Sequence, residues 1–128
     1  MPNKFINQNG LIGERYGKFL SSGKIVLQNS RWQEITRRIF EGMACGKLVI
    51  TDRLPESTRI YDLFEEDKDI VFYDDLGELI SKINYYLSPE GDSVREHIAN
   101  SGYQKVLREH TQYNRVNEII EAYYRWKN

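Results

Sequence analysis

Three short, unbroken apolar runs punctuate the chain: Ile25-Val26-Leu27 after Gly23, Leu48-Val49-Ile50 after Gly46, and Ile70-Val71-Phe72 after Asp69. Runs this short and this rich in β-branched residues suit strands covered on both faces. They predict strands over 24–28, 47–51 and 69–73. Lys4-Phe5-Ile6-Asn7 predicts an additional edge strand, followed by a helix from about Gly13 to Leu20. Between the runs the apolar spacing changes to three and four, at Ile35, Ile39, Phe40 and Met43 and again at Ile60, Leu63 and Phe64. That period belongs to helices with one buried face. Strand and helix therefore alternate, which favours a three-layer α/β domain whose short parallel sheet has about four strands joined by right-handed crossovers.

The last third predicts helices alone. Asp75 with Glu78 forms a capping box ahead of Leu76, Leu79, Ile80, Ile83 and Leu87, and Pro89 stops that helix. Ser93 with Glu96 predicts a second start, leading through Ile98, Val106 and Leu107, and Thr111 predicts a cap for a final helix carrying Val116, Ile119, Ile120 and Tyr123. The turn-rich stretch 88–93 is placed between helices, and a helical tail is expected over about 92–128. With no repeat or linker, residues 1–128 read as one domain.

Composition narrows the function. Apolar residues at 40% and charged residues at 29% describe a chain that folds. Eighteen Lys and Arg against nineteen Asp and Glu leave no broad field for nucleic acid or an anionic membrane. No apolar run approaches the roughly 18 residues of a membrane span, and the start lacks a signal-peptide layout. The single cysteine, Cys45, forbids an internal disulfide and points to the cytoplasm; beside Gly46 it reads as a packed thiol. His97 and His110 lack partners at zinc spacing. Asp67-Lys68-Asp69 matches a metal-binding D-x-D but precedes a strand, whereas ligands in parallel sheets lie beyond strand C-termini. No metal or other cofactor is expected. Tyr85, Tyr86, Tyr123, Tyr124 and Trp126 read as packing residues, against the body or a partner.

A helix from about Gln33 to Ala44 places Ile35, Ile39 and Met43 on one face and Glu34, Arg37, Arg38 and Glu41 on the other. The charged face has two readings. It is a solvated surface whose Glu34–Arg38 and Arg37–Glu41 pairs are worth about 0.2–0.5 kcal/mol each, or it faces a ligand. The second draws on its place just after a buried strand and the Asn29-Ser30-Arg31 turn. Ser or Asn side chains, free helix amides and Arg can grip phosphate there, and a carboxylate can accept both hydroxyls of a ribose. Glu41, two turns in, reaches only a ligand lying along the helix, and a nucleotide has that length.

The stretch Arg38-Ile39-Phe40-Glu41-Gly42-Met43-Ala44-Cys45-Gly46 resembles the R-x-F-E-x-x-A-C-G segment of GT-B glycosyltransferases, in their group-1 and spore-maturation-protein-like branch. The resemblance runs from about Gly10 to Arg115, taking in Tyr16, Leu20, Tyr73-Asp74-Asp75-Leu76 and His110-Thr111. It implies a Rossmann-like donor domain that binds a nucleotide diphosphate sugar without metal. Glu41 would contact the ribose, Ser30, Arg31 and Arg38 would lie near the diphosphate, and Gln33 would lie near the sugar. Retaining relatives carry Glu where Gln33 stands, with Glu34 here one residue out of register; no catalytic residue is assigned. The resemblance further implies that this is a partial domain, without the strands that bear the diphosphate clamp and without the acceptor-binding N-terminal half. Alone it is expected to transfer little sugar, and its last helix would meet that half or a second copy. A non-catalytic scaffold module is the alternative. A phosphoacceptor receiver domain fits poorly, because Asn7, Gln8 and Asn9 stand where it needs magnesium-binding acids.

Overall fold

A computed structural model describes residues 10–128. Helix α1 (Gly13–Ser22) leads into strand β1 (Ile25–Gln28), then α2 (Arg37–Ala44), β2 (Leu48–Asp52), a 3-10 turn (Glu56–Thr58), the single-turn α3 (Ile60–Leu63) and β3 (Val71–Tyr73). Three helices follow, α4 (Leu76–Leu87), α5 (Pro89–Glu109) and α6 (Gln112–Lys127). The strands are parallel in the order β1-β2-β3, with Val26 opposite Val49 and Ile50 opposite Val71. The described residues thus hold three strands, fewer than the expected four or so; the strand expected over Lys4–Asn7 lies outside them.

Alternation along the strands splits the core into two. Val26, Val49, Ile70 and Phe72 pack with Leu20, Ile39, Met43, Ile60 and Phe64 on one face. Leu48, Ile50 and Val71 pack with Leu79, Ile83, Tyr86, Ile98 and Ala99 on the other. Helices α1, α2 and α3 thus cover one face and α4 the other, while α5 serves both, with Ile98 and Ala99 in the second core and Val106 in the first. Each fully buried side chain of this size contributes about 1.5–3 kcal/mol, and Ile39 and Met43 are 0% exposed. At Gly42 a Cβ would lie 2.9 Å from Val49 Cγ2, so glycine lets α2 settle onto the sheet.

Two helix starts differ from the sequence reading, and in a third only the return bond of the capping box does. Helix α2 begins at Arg37, four residues later than expected, because Gln33 adopts φ 52°, the left-handed region, and holds residues 33–36 out of the helix. Glu34 is consequently a loop residue. Helix α5 begins at Pro89, where Ser88 accepts the Gly91 amide at 3.2 Å. The expected turn over 88–93 is therefore the helix start, and Ser93 sits within the helix rather than capping it. In α4, Asp75 accepts the Glu78 amide at 2.8 Å, but the Glu78 carboxylate returns to the amide of Asp74, also at 2.8 Å, not to that of Asp75. Thr111 caps α6 as its sequence predicts, in a box completed by Asn114.

Helix α6 contains no buried residue. Tyr86 packs into the core, but Tyr123, Tyr124 and Trp126 remain exposed and do not pack on the body as aromatic packing would have it.

Candidate functional site

Beyond the C-terminal end of β1, α1 and α2 border an open cavity of about 570 Å³, within the size range of small-ligand sites. Gln28, the last residue of β1, lines it and is only 2% exposed. Its Oε1 accepts a hydrogen bond from Arg38 Nη1 at 3.2 Å, which leads the guanidinium along the cavity wall. One turn further along α2, Glu41 Oε2 accepts from the Tyr16 hydroxyl at 2.9 Å. Burial raises the Tyr16 pKa, and the hydrogen bond to Glu41 raises it further, so the phenol remains a donor at neutral pH.

The other end of the cavity is the start of α2. Thr36 occupies the N-cap position but makes no side-chain capping bond, and its Oγ1 is buried with no partner. The amides of Arg37 and Arg38 have no backbone acceptor among the described residues. An N-cap hydroxyl normally satisfies such amides, so this helix start leaves donors facing a space lined by Arg31, Arg37 and Arg38. Three arginines against Glu34 and Glu41 favour an anion at this end, and the helix dipole acts in the same sense.

The candidate residues divide. Glu41, Arg38 and Arg31 line the cavity; Ser30 and Gln33 do not. Ser30 is occupied elsewhere, its amide donating to Asp52 Oδ1 at 2.7 Å and its hydroxyl to Asp52 Oδ2 at 2.5 Å. Asp52, at the end of β2, also accepts from the Thr51 hydroxyl and ties the loop after β1 to the neighbouring strand. Gln33 is exposed on that loop beside Trp32, whose ring lies 5.8 Å from the Arg31 guanidinium. No ion pair joins Glu34 to Arg38 or Arg37 to Glu41 among the described residues.

Tyr16, Gln28, Thr36 and Asp52 were not singled out as site residues by sequence patterns. A cap-like Thr ahead of the Arg37-Arg38 pair was the signal available for Thr36. Tyr16 and Asp52 meet their partners across 25 and 22 residues, beyond any local pattern.

The D-x-D stretch is structural. Asp69 is 3% exposed and accepts from the Glu65 amide, the Ser101 hydroxyl and Lys105. Burial pushes its carboxyl up, but those donors outweigh it and hold the pKa below the ordinary value. The His110 imidazole packs against Phe40 and Phe64 and accepts from Arg115 Nη2 at 2.6 Å. Cys45 is half-buried near the Gly17 carbonyl. Among the described residues, no three His, Cys, Asp or Glu side chains gather as metal ligands, and no helix is long and apolar enough to cross a membrane.

The sequence model of a glycosyl transferase-like family matches residues 4–121. The chain belongs to the glycosyl transferase-like family. The match takes in β1, α2 and the whole cavity lining, and it stops within α6. No curated protein and no solved structure matches the chain. For this glycosyl transferase-like chain, the cavity beside α2 is the place to seek a ligand.

Proposed function

We propose that this cavity binds the nucleoside diphosphate portion of a nucleotide sugar, and that the chain is the donor-binding domain of a GT-B, Rossmann-like glycosyltransferase. The observation that carries the reading is the unsatisfied start of α2, where a buried Thr36 hydroxyl without a partner and open amides face three arginines, with Glu41 in the same cavity. Phosphate oxygens complement those donors, and charge-assisted bonds to them are the strong kind. Thr36 and Glu41 are five residues apart, about 7.5 Å along a helix axis. A diphosphate at the helix start therefore leaves its ribose near Glu41. Family membership supports glycosyl transfer as the class of reaction, and this reading leaves the acceptor side of the cleft to another domain.

Titration with uridine diphosphate or guanosine diphosphate tests the reading. Amide chemical shifts should move at 36–41 and at Tyr16, with the response reduced by Glu41→Ala and by Thr36→Val. Absence of any change at millimolar ligand would sink it.

The alternative is a non-catalytic scaffold, favoured by the exposed apolar side of α6, where Ile119 is 69% and Trp126 81% exposed. It expects stable self-association by light scattering together with no response to either nucleotide.

A further inference from the structure

We infer that Tyr16 is a positioning residue which sets Glu41 to read the hydroxyl edge of a ribose, so that the cavity separates ribonucleotide from dideoxyribonucleotide ligands. This rests on the nucleoside diphosphate reading and adds a specificity to it. A carboxylate at a helix surface is normally free to rotate, and ordering it for a ligand costs side-chain entropy. Here the Tyr16 hydroxyl, donated from α1, already holds Oε2 at 2.9 Å. Both residues line the same cavity. Glu41 is half-buried and has no ion pair among the described residues, where this phenol is its one hydrogen-bond partner, so Oε1 is left for a ligand.

An ionised carboxylate offers about four lone-pair sites and no donor. Tyr16 takes one, which fixes the carboxylate plane and leaves acceptors only. The ligand group that suits them is a donor on a sugar edge, and vicinal ribose hydroxyls supply two. Tyr16 cannot reverse the arrangement, since both its burial and its bond to Glu41 keep the phenol protonated. The Arg38 guanidinium lies beside the same phenol and donates to Gln28 Oε1 at 3.2 Å, and no ion pair joins it to Glu41 among the described residues.

The test compares uridine and guanosine diphosphates with their 2′,3′-dideoxy counterparts by calorimetry, on the full chain and on Tyr16→Phe, with Glu41→Gln as reference. A hydrogen bond to a charged group corresponds to about 10-fold or more in affinity. The unmodified chain should accordingly prefer a ribonucleotide by at least that factor. Tyr16→Phe, which keeps the ring, should shrink the preference to a few-fold by weakening ribonucleotide binding more than dideoxynucleotide binding, whereas general loosening of the cavity would weaken both alike. Combining both substitutions should give no further loss of discrimination. Equal affinity for both ligand types in the unmodified chain, or an unchanged ratio in Tyr16→Phe, overturns the inference and leaves the nucleotide site standing. Binding of neither type overturns both.

Discussion

Two glycines show how finely single residues are set. At Gly91, in the first turn of α5, a Cβ would fall 2.0 Å from the Tyr85 carbonyl oxygen and 2.7 Å from its carbon. Those are backbone atoms at the end of α4, so one helix must move against the other. At Gly42 the nearest atoms belong to Val49 and Val26 side chains, at 2.9 and 3.1 Å, which can give slightly. Overpacking usually costs about 1–3 kcal/mol. Gly42→Ala should fall inside that range and Gly91→Ala at or above its top, as read by urea unfolding. A milder effect at Gly91 than at Gly42 would mean that the α4–α5 junction is soft.

At the scale of elements, α6 is the anomaly. Among the described residues, its hydrogen bonds to the rest of the chain all come from its first turn: Asn114 Nδ2 donates to the Arg108 carbonyl at 3.2 Å, and Arg115 donates to the Glu109 carbonyl and to His110. Beyond that turn, Val116, Ile119, Ile120, Tyr123, Tyr124 and Trp126 are all exposed. A lone helix of this length is marginal in water, and apolar side chains exposed side by side favour association. Ile119→Glu combined with Ile120→Glu should change stability by less than about 0.5 kcal/mol per site, as surface substitutions do. The same variant should abolish any concentration dependence in light scattering. Scattering that is equally concentration-dependent in both chains would place the contact elsewhere.

The elements also show what a sequence carries. The strands and the buried stripe of α2 were legible because apolar period is set by the same burial it reports, and the Thr111 cap because its signal is local. The α5 start was not, since Pro89 both ends α4 and suits the first position of the next helix, and the Ser93–Glu96 pair imitates a start one turn later. The late start of α2 depends on the left-handed Gln33, a backbone state that apolar spacing does not encode. In the cavity, Arg38 and Glu41 were legible from their helix face. Tyr16 arrives from α1, and the binding of Ser30 by Asp52 is tertiary, so neither could be read from spacing.

For the molecule as a whole, two buried groups couple stability to pH in different ranges. A guanidinium can only donate, so Arg115 requires His110 Nδ1 to accept, and the proton sits on Nε2, 3.4 Å from the Leu63 carbonyl. Burial lowers the His110 pKa below its ordinary 6.5; Arg115 and Lys105 lower it further, against the Leu63 carbonyl and Glu109, which raise it. The unfolded chain therefore binds the proton more readily. The contribution of His110 is complete above about pH 6.5 and declines as pH falls through that value toward the lower folded pKa. Asp69, also held below its ordinary 3.8, keeps its contribution until pH falls under that value. Unfolding free energies from urea titration should accordingly decline in two stages, the first with a slope of no more than about 1.4 kcal/mol per pH unit, the limit for one proton. His110→Gln retains an acceptor for Arg115 and a donor for Leu63 yet cannot titrate, so it should flatten the profile between pH 7 and 5 and leave the lower stage intact. Because Arg115 anchors the first turn of α6, amide exchange in that turn should quicken over the same upper range in the unmodified chain and not in His110→Gln. A profile already flat from pH 7 to 5 in the unmodified chain would show that the imidazole between Phe40 and Phe64 does not couple α6 to the core.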